Sequence, residues 1–236
     1  VVVITGGGSG IGACMVREFM AQGARVAFLD FDRAAGEAVA KETGALFLFC
    51  DLRDIPSLRA AIAEVKAQLG PVQVLVNNAA RDDRHGLETV EPDYWDERMA
   101  TNLRHQFFCA QAVVPMMRRA GGGSIINLGS ISWMNRTGGM PAYTAAKAAV
   151  RGLTRGLARD LGPDRIRVNE VVPGWVHTER QIALWLTPES EARSQANQCL
   201  KGALKPDDIA RMVLWLAADD SAMVTAQHFV VDGGSN

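Results

Sequence analysis

Short runs of β-branched and aliphatic residues alternate along the chain with longer stretches whose apolar positions recur at helical spacing. The runs predict strands at residues 1–5, 25–29, 45–50, 72–76, 124–128, 167–172 and 227–231. Several are apolar almost throughout, as expected of parallel strands covered on both faces. The helical pattern covers residues 11–22, 33–43, 56–69, 92–119, 141–161 and 206–218, and four of these six stretches open on proline, which suits a first helical turn. Strand–helix alternation repeated this often predicts βαβ units in a doubly wound α/β fold, with helices on both sides of a seven-stranded parallel sheet. No linker, low-complexity stretch or internal repeat interrupts the pattern, so residues 1–236 read as a single domain.

Residues 173–205 break the rhythm. Trp175, Trp185 and Leu186 are scattered among polar positions in a connection longer than the usual short loop. The connection follows a strand's carboxyl end, where open α/β sheets bind ligands, and is therefore expected to form a substrate lid.

Composition narrows the class. Hydrophobic residues make up 48% and charged residues 22% of the 236 residues, an ordinary globular balance. Lys and Arg number 25 against 26 Asp and Glu, for a net charge of -1. That balance gives no positive field to draw nucleic acid or an anionic membrane. No apolar run approaches the roughly 20 residues that cross a bilayer. No basic segment with a small-residue cleavage site opens the chain, which favours a cytoplasmic protein over a secreted one. Val1 already lies inside a strand-like run, so a few residues are expected to precede it. Cys14, Cys50, Cys109 and Cys199 are far apart and form no C-x-x-C pair, as in a reduced protein that uses cysteine as a small core residue. His85, His105, His177 and His228 lack metal-ligand spacing, and no metal site is expected.

Two segments carry chemistry. Thr5-Gly6-Gly7-Gly8-Ser9-Gly10-Ile11-Gly12 joins the first predicted strand to the first helix. Glycines there allow a tight turn and close approach of a pyrophosphate, and the helix N-terminus behind them supplies free N–H groups. No Lys-Ser/Thr pair follows, so the phosphate loop of NTPases does not fit. Asp30 ends the second strand 20 residues after Gly10, where a carboxylate commonly accepts ribose hydroxyls. Its charge would repel a 2′-phosphate, which favours NAD over NADP, although Arg33 stands close in sequence. The second segment places Tyr143 and Lys147 four residues apart on one helix face. A free phenol, with a pKa near 10, is a poor base at neutral pH. A neighbouring ammonium and an oxidised nicotinamide would both lower that value.

Ser130 follows the strand at 124–128, and Asn102 falls in the long helix that starts near Pro92. With these four residues, the glycine turn, Asp51, Asn77-Asn78-Ala79-Ala80 and Pro173-Gly174 with Thr178, nearly the whole chain resembles the short-chain dehydrogenase/reductase family, with its Rossmann-type fold. The resemblance implies that Tyr143 is the general acid/base, that Ser130 holds the reacting oxygen and that Lys147 binds the nicotinamide ribose and tunes Tyr143. It implies that Asn102 holds a water in a proton relay. Asp51 and Asn77 would lie along the adenine and its ribose, and the Val176 backbone and Thr178 would meet the carboxamide and phosphate. The implied nucleotide site comprises Gly6, Ser9, Gly10, Ile11, Gly12, Asp30, Asp51, Leu52, Asn78, Tyr143, Lys147, Pro173, Gly174, Val176 and Thr178. Two departures, Ala80 and Ala226 where the family commonly has glycine, are small-for-small exchanges expected to matter little.

Arg81-Asp82-Asp83-Arg84-His85 follows the fourth strand, and such dense polar groups suit a hydroxyl-rich substrate. This segment, with Tyr94-Trp95-Asp96-Glu97-Arg98, Asn102-Leu103-Arg104-His105, Gly129-Ser130-Ile131-Ser132-Trp133 and Gln198-Cys199-Leu200-Lys201, resembles the bacterial D-xylose and related aldose 1-dehydrogenases of the family. That resemblance implies NAD-dependent oxidation of a cyclic sugar at C1 to the lactone. Asp83, Arg84, His85, Ser130, Trp133, Asn135, Tyr143 and Trp175 are the expected sugar contacts, with Trp133 equally suited to a core or subunit interface. The alternatives are an NADP(H)-dependent 3-oxoacyl or other carbonyl reductase and, outside enzymes, a non-catalytic nucleotide-binding subunit. Small and apolar residues cover more than one face of the helix at 141–161, which suits packing on a second subunit and the homotetramers common in the resembling family.

Overall fold

The computed structural model describes residues Val1–Asn236. Seven strands, β1 (Val2–Thr5), β2 (Val26–Asp30), β3 (Leu46–Phe49), β4 (Val74–Asn77), β5 (Gly123–Leu128), β6 (Ile166–Pro173) and β7 (His228–Val231), form one sheet in the order β3-β2-β1-β4-β5-β6-β7. Every pairing is parallel. The expected single-domain, doubly wound architecture is therefore the one observed, with element ends shifted by a residue or two.

Side chains alternate across β1, and this builds two cores. Val3 packs with Leu58, Ile62 and Val65 of α3 (Ile55–Leu69) and with Val113 and Met117 of α5 (His105–Ala120). The same layer holds Ala158 of α6 (Pro141–Leu161). Val2 and Ile4 face the opposite side. They pack there with Met15 and Phe19 of α1 (Gly10–Ala21), Val39 of α2 (Arg33–Thr43) and Val213 of α9 (Pro206–Ala217). Each fully buried aliphatic side chain contributes about 1.5–3 kcal/mol, so the near-continuous apolar strands leave few alternatives to this sandwich.

The single long helix expected at 92–119 is interrupted. α4 (Pro92–Met99) and α5 are joined by a π-helical segment, Ala100–Arg104, that contains Asn102. The Asn102 amide donates to the Arg98 carbonyl at 2.9 Å while its side-chain oxygen accepts from the Arg81 N–H at 2.8 Å. This side chain thus bonds both its own helix and the segment after β4, where the helical ladder widens. Such bulges recur at functional sites. The 173–205 region is not a bare loop either. It contains α7 (Glu179–Trp185), capped by the Thr178 side chain, and α8 (Pro188–Asn197), capped by Thr187. No helix is long and apolar enough to cross a membrane, and all four cysteines are free.

Ala226 corrects one expectation. Its φ of +61° lies in the left-handed region, where a Cβ is strained, while its N–H donates to the Val168 carbonyl at 2.8 Å. Alanine is therefore not a neutral exchange for glycine here.

Candidate active site

The strand order reverses between β1 and β4, and the crevice beyond their carboxyl ends opens into a cavity of about 830 Å³. One wall is the glycine turn. Gly6 and Gly10 have φ of +67° and +52°, and a Cβ on Gly12 would lie 1.8 Å from the Gly6 carbonyl oxygen. The chain can make this turn only without side chains there, which bares the backbone at the start of α1. Asn78 ties the turn to β4, donating from its side chain to the carbonyls of Thr5 (2.9 Å) and Gly6 (3.0 Å). Thr178 covers the turn from the lid side, its methyl 3.2 Å from where a Cβ on Gly10 would stand.

Asp30 is buried at the end of β2, and its carboxylate accepts from the N–H groups of Gly8 (2.8 Å) and Asp32 (3.0 Å). It braces the turn from behind and places a negative charge beside it. Asp51 is engaged elsewhere. Arg53 grips both of its oxygens, at 2.9 and 2.6 Å, and this pairing holds the Asp51 carboxyl below the usual range. Leu52 packs against the apolar core instead of lining the cavity. Asn77 is fully buried and donates to Asn127 at 2.9 Å.

The opposite wall carries Ser130, Tyr143 and Lys147. Lys147 is buried, its ammonium donating to the Leu128 carbonyl at 2.7 Å and lying 5.8 Å from the centre of the Tyr143 ring. Burial pushes Lys147 down to about 8, against the opposing pull of Glu170 and Asp82. Tyr143, half-buried at the cavity wall, is pushed up to about 12 by its enclosure. The Ser130 hydroxyl works against that shift, Asp82 adds to it, and Arg84 opposes it. Burial, more than the neighbouring charges, therefore keeps this phenol protonated at neutral pH, and a positive charge brought beside it would lower it. His105, beneath the π segment, is pushed to about 3 by burial and by Lys147 and stays neutral.

The expected substrate residues divide into two groups. Arg84, Ser130, Tyr143 and Trp175 line the cavity. Asp83, His85, Trp133 and Asn135 do not. Asp83 sits among Arg81, Arg98 and Arg180, which outweigh its burial and hold its carboxyl below the ordinary range. His85 accepts from the Ala142 N–H through Nε2 (3.1 Å), which places its proton on Nδ1, within 2.9 Å of the Asp83 carbonyl. Trp133 is half-buried away from the cavity, and Asn135 is exposed.

Asp82 was not among the expected contacts, yet it faces the cavity and ties down the lid. Arg180 donates to one of its oxygens at 2.9 Å and Gln181 to the other at 2.7 Å, while the Gln181 side-chain oxygen accepts from the Trp175 indole at 3.0 Å. Arg193 of α8 also lines the cavity, and Arg84 stacks over the Trp185 ring at 5.1 Å. These contacts join residues nearly a hundred positions apart, beyond the reach of any local sequence signal.

The arrangement has close counterparts. A short-chain type dehydrogenase/reductase from Mycobacterium ulcerans superposes with a TM-score of 0.94 at 27% identity, covering 99% of this chain and 88% of that one. The sequence family described as enoyl-(acyl carrier protein) reductase matches residues 6–236. This chain belongs to the short-chain dehydrogenase/reductase family. Within this family, abbreviated SDR, a probable galactose dehydrogenase, GalD, of Rhizobium meliloti (strain 1021) is 54% identical over 239 residues, 99% of this chain and 93% of the relative. A D-xylose 1-dehydrogenase of Caulobacter vibrioides (strain NA1000 / CB15N) is 49% identical over 238 residues, 99% of this chain and 94% of the relative. The SDR described here is an oxidoreductase whose fold binds a nicotinamide cofactor.

Proposed function

We propose that this SDR uses NAD to oxidise a cyclic aldose at C1 to the lactone. The observation that carries the reading is the continuity of one cavity, from the bare glycine turn to Tyr143 and on to the polar cluster of Asp82, Arg84 and Gln181. The names of the two curated relatives support a sugar, and the polar lining suits hydroxyl groups better than an acyl chain.

The residues present fit a dinucleotide. A pyrophosphate can rest on the backbone of Gly6–Gly12, at the N-terminus of α1, with Thr178 above it. Asp30, braced by Gly8, meets the ribose hydroxyls and disfavours a 2′-phosphate. A bound NAD would supply the hydride acceptor for C1 and a positive charge that favours the Tyr143 phenolate. Ser130 holds the anomeric oxygen, and Tyr143, acting as the phenolate, takes the proton from the anomeric hydroxyl as hydride leaves the carbon. Lys147 holds the nicotinamide ribose and keeps its charge near the phenol. Asn102, through the π segment, positions the path by which the proton leaves. The lid spans residues 173–205, and Trp175 is oriented by Gln181 to pack against the sugar.

A panel of aldoses incubated with NAD or NADP, followed by the absorbance of the reduced cofactor and by trapping of the lactone, tests this reading. Turnover of a pentose or hexose with NAD is expected. No aldose turnover overturns the sugar, and preference for NADP overturns the role given to Asp30.

A further inference from the structure

A polar row crosses the sheet beneath α6. Asn77 of β4, Asn127 of β5, Glu170 of β6 and His228 of β7 stand in register on four neighbouring strands. The first three are fully buried. Asn77 bonds Asn127, and Asn127 donates to Thr154 of α6 at 3.0 Å. Glu170 differs from them: neither carboxyl oxygen accepts a hydrogen bond. Burying an ionisable group without partners costs several kcal/mol unless a charge compensates it, so a carboxyl placed here calls for an explanation.

Its position supplies one. The Glu170 carboxyl lies against the Gly129 backbone, where a Cβ on residue 129 would stand 2.1 Å from Oε1. Gly129 separates Leu128, whose carbonyl accepts from the Lys147 ammonium, from Ser130. Glu170 thus sits under the backbone that carries both groups, on the face packed by α6. We infer that Glu170 is a positioning residue for the reaction: its buried negative charge keeps the Lys147 head group an ammonium and so sets the alkaline limit of turnover.

The surrounding charges are consistent with this role. Burial, partly offset by the charges of Arg151 and Lys147 on α6, pushes the Glu170 carboxyl up to about 7. Glu170 exerts the largest charge effect on Lys147, ahead of Asp82 from the segment after β4. His105 of α5 feels the charge of Lys147, and burial together with Arg151 lowers His228 beyond Glu170. Below neutral pH, Glu170 is protonated and resembles glutamine in both shape and charge. Above it, the carboxylate forms and Lys147 gains its partner.

Glu170's role rests on Lys147 acting as proposed above, and the test separates the two. In the protein without nucleotide, labelled at lysine Cε, the NMR signal of Lys147 is expected to titrate in two steps, the first near neutral pH with Glu170. In Glu170→Gln the first step disappears and the Lys147 midpoint falls by about one unit. With NAD and an aldose substrate, kcat/KM of Glu170→Gln should match wild type near pH 6 and fall roughly tenfold below it near pH 9, because only the alkaline limb moves. Glu170→Asp, which keeps the charge, returns the limb towards wild type. A single-step Lys147 titration in wild type, an unmoved midpoint in the variant, or an equal fractional loss at every pH overturns the inference. Absence of sugar turnover in wild type would strike the functional reading alone.

Discussion

His85 Nε2 accepts a 3.1 Å hydrogen bond from the Ala142 backbone N–H, so the imidazole caps the helix that presents Tyr143 one residue later. Met140, at the N-cap of α6, offers no side-chain bond, and Pro141 has no N–H, which leaves His85 to satisfy this helix end. His85, expected among the sugar contacts, lies outside the cavity lining and bonds this helix end. His85→Ala should lower stability by about 1 kcal/mol, the usual cost of a lost cap. Because Tyr143 shifts with its helix, kcat should fall more than the sugar KM rises. Denaturant melts with steady-state kinetics check this; a change in KM alone would restore His85 to the substrate contacts.

Tyr143→Phe removes only the hydroxyl. Turnover should fall by at least about 100- to 10,000-fold, the range associated with general acid–base groups, while NAD affinity measured by calorimetry stays near wild type.

Asp82 raises both Tyr143 and Lys147. Asp82→Asn should therefore move both limbs of the kcat/KM pH profile towards lower pH, by roughly half a unit to one unit. Glu170→Gln, in contrast, moves the alkaline limb alone. The same change at Asp82 weakens the tie to Arg180 and Gln181, so the sugar KM should rise severalfold. An unshifted acid limb would show that Asp82 does not act on the phenol.

Ala226→Gly relieves a left-handed alanine that pairs with Val168. A gain of about 0.5–1 kcal/mol is expected, seen as a melting temperature higher by about 1–4 °C. A drop in stability would mean that the freedom glycine adds to the unfolded chain outweighs the relieved strain.

Ala149 and Leu153 of α6 line an apolar groove of about 420 Å³ with Phe107, Phe108, Met99 and Leu103. Phe107 is 41% exposed, an unusual cost for a large aromatic side chain unless a second copy of the chain covers it. Light scattering should report a tetramer for wild type and a smaller species for Phe107→Asp. A monomeric wild type would remove the assembly.

The strands, the glycine turn and the Tyr143–Lys147 pair were legible because each rests on local rules: period-two or helical burial, a turn that tolerates no side chain, and two groups one helical turn apart. The π segment was not. A widened ladder is driven by Asn102 bonding Arg81 across the fold, and helical periodicity looks the same on either side of it. The polar residues that line the cavity were the least legible, because Asp82 and Asp83 are adjacent and chemically identical. Only the placement of Arg98, Arg81 and Arg180 decides which of the two becomes the ion-pair centre and which faces the cavity.

Sequence by itself determined the doubly wound sheet, the bare glycine turn and the Tyr143–Lys147 pair on one helix face, because these depend on interactions between near neighbours and on which residues avoid water. Tertiary structure alone decided that His85 caps α6, that Asp82 ties down the lid and that Glu170 lies beneath Gly129. Those roles depend on distances between segments far apart in the chain, which only the fold brings together.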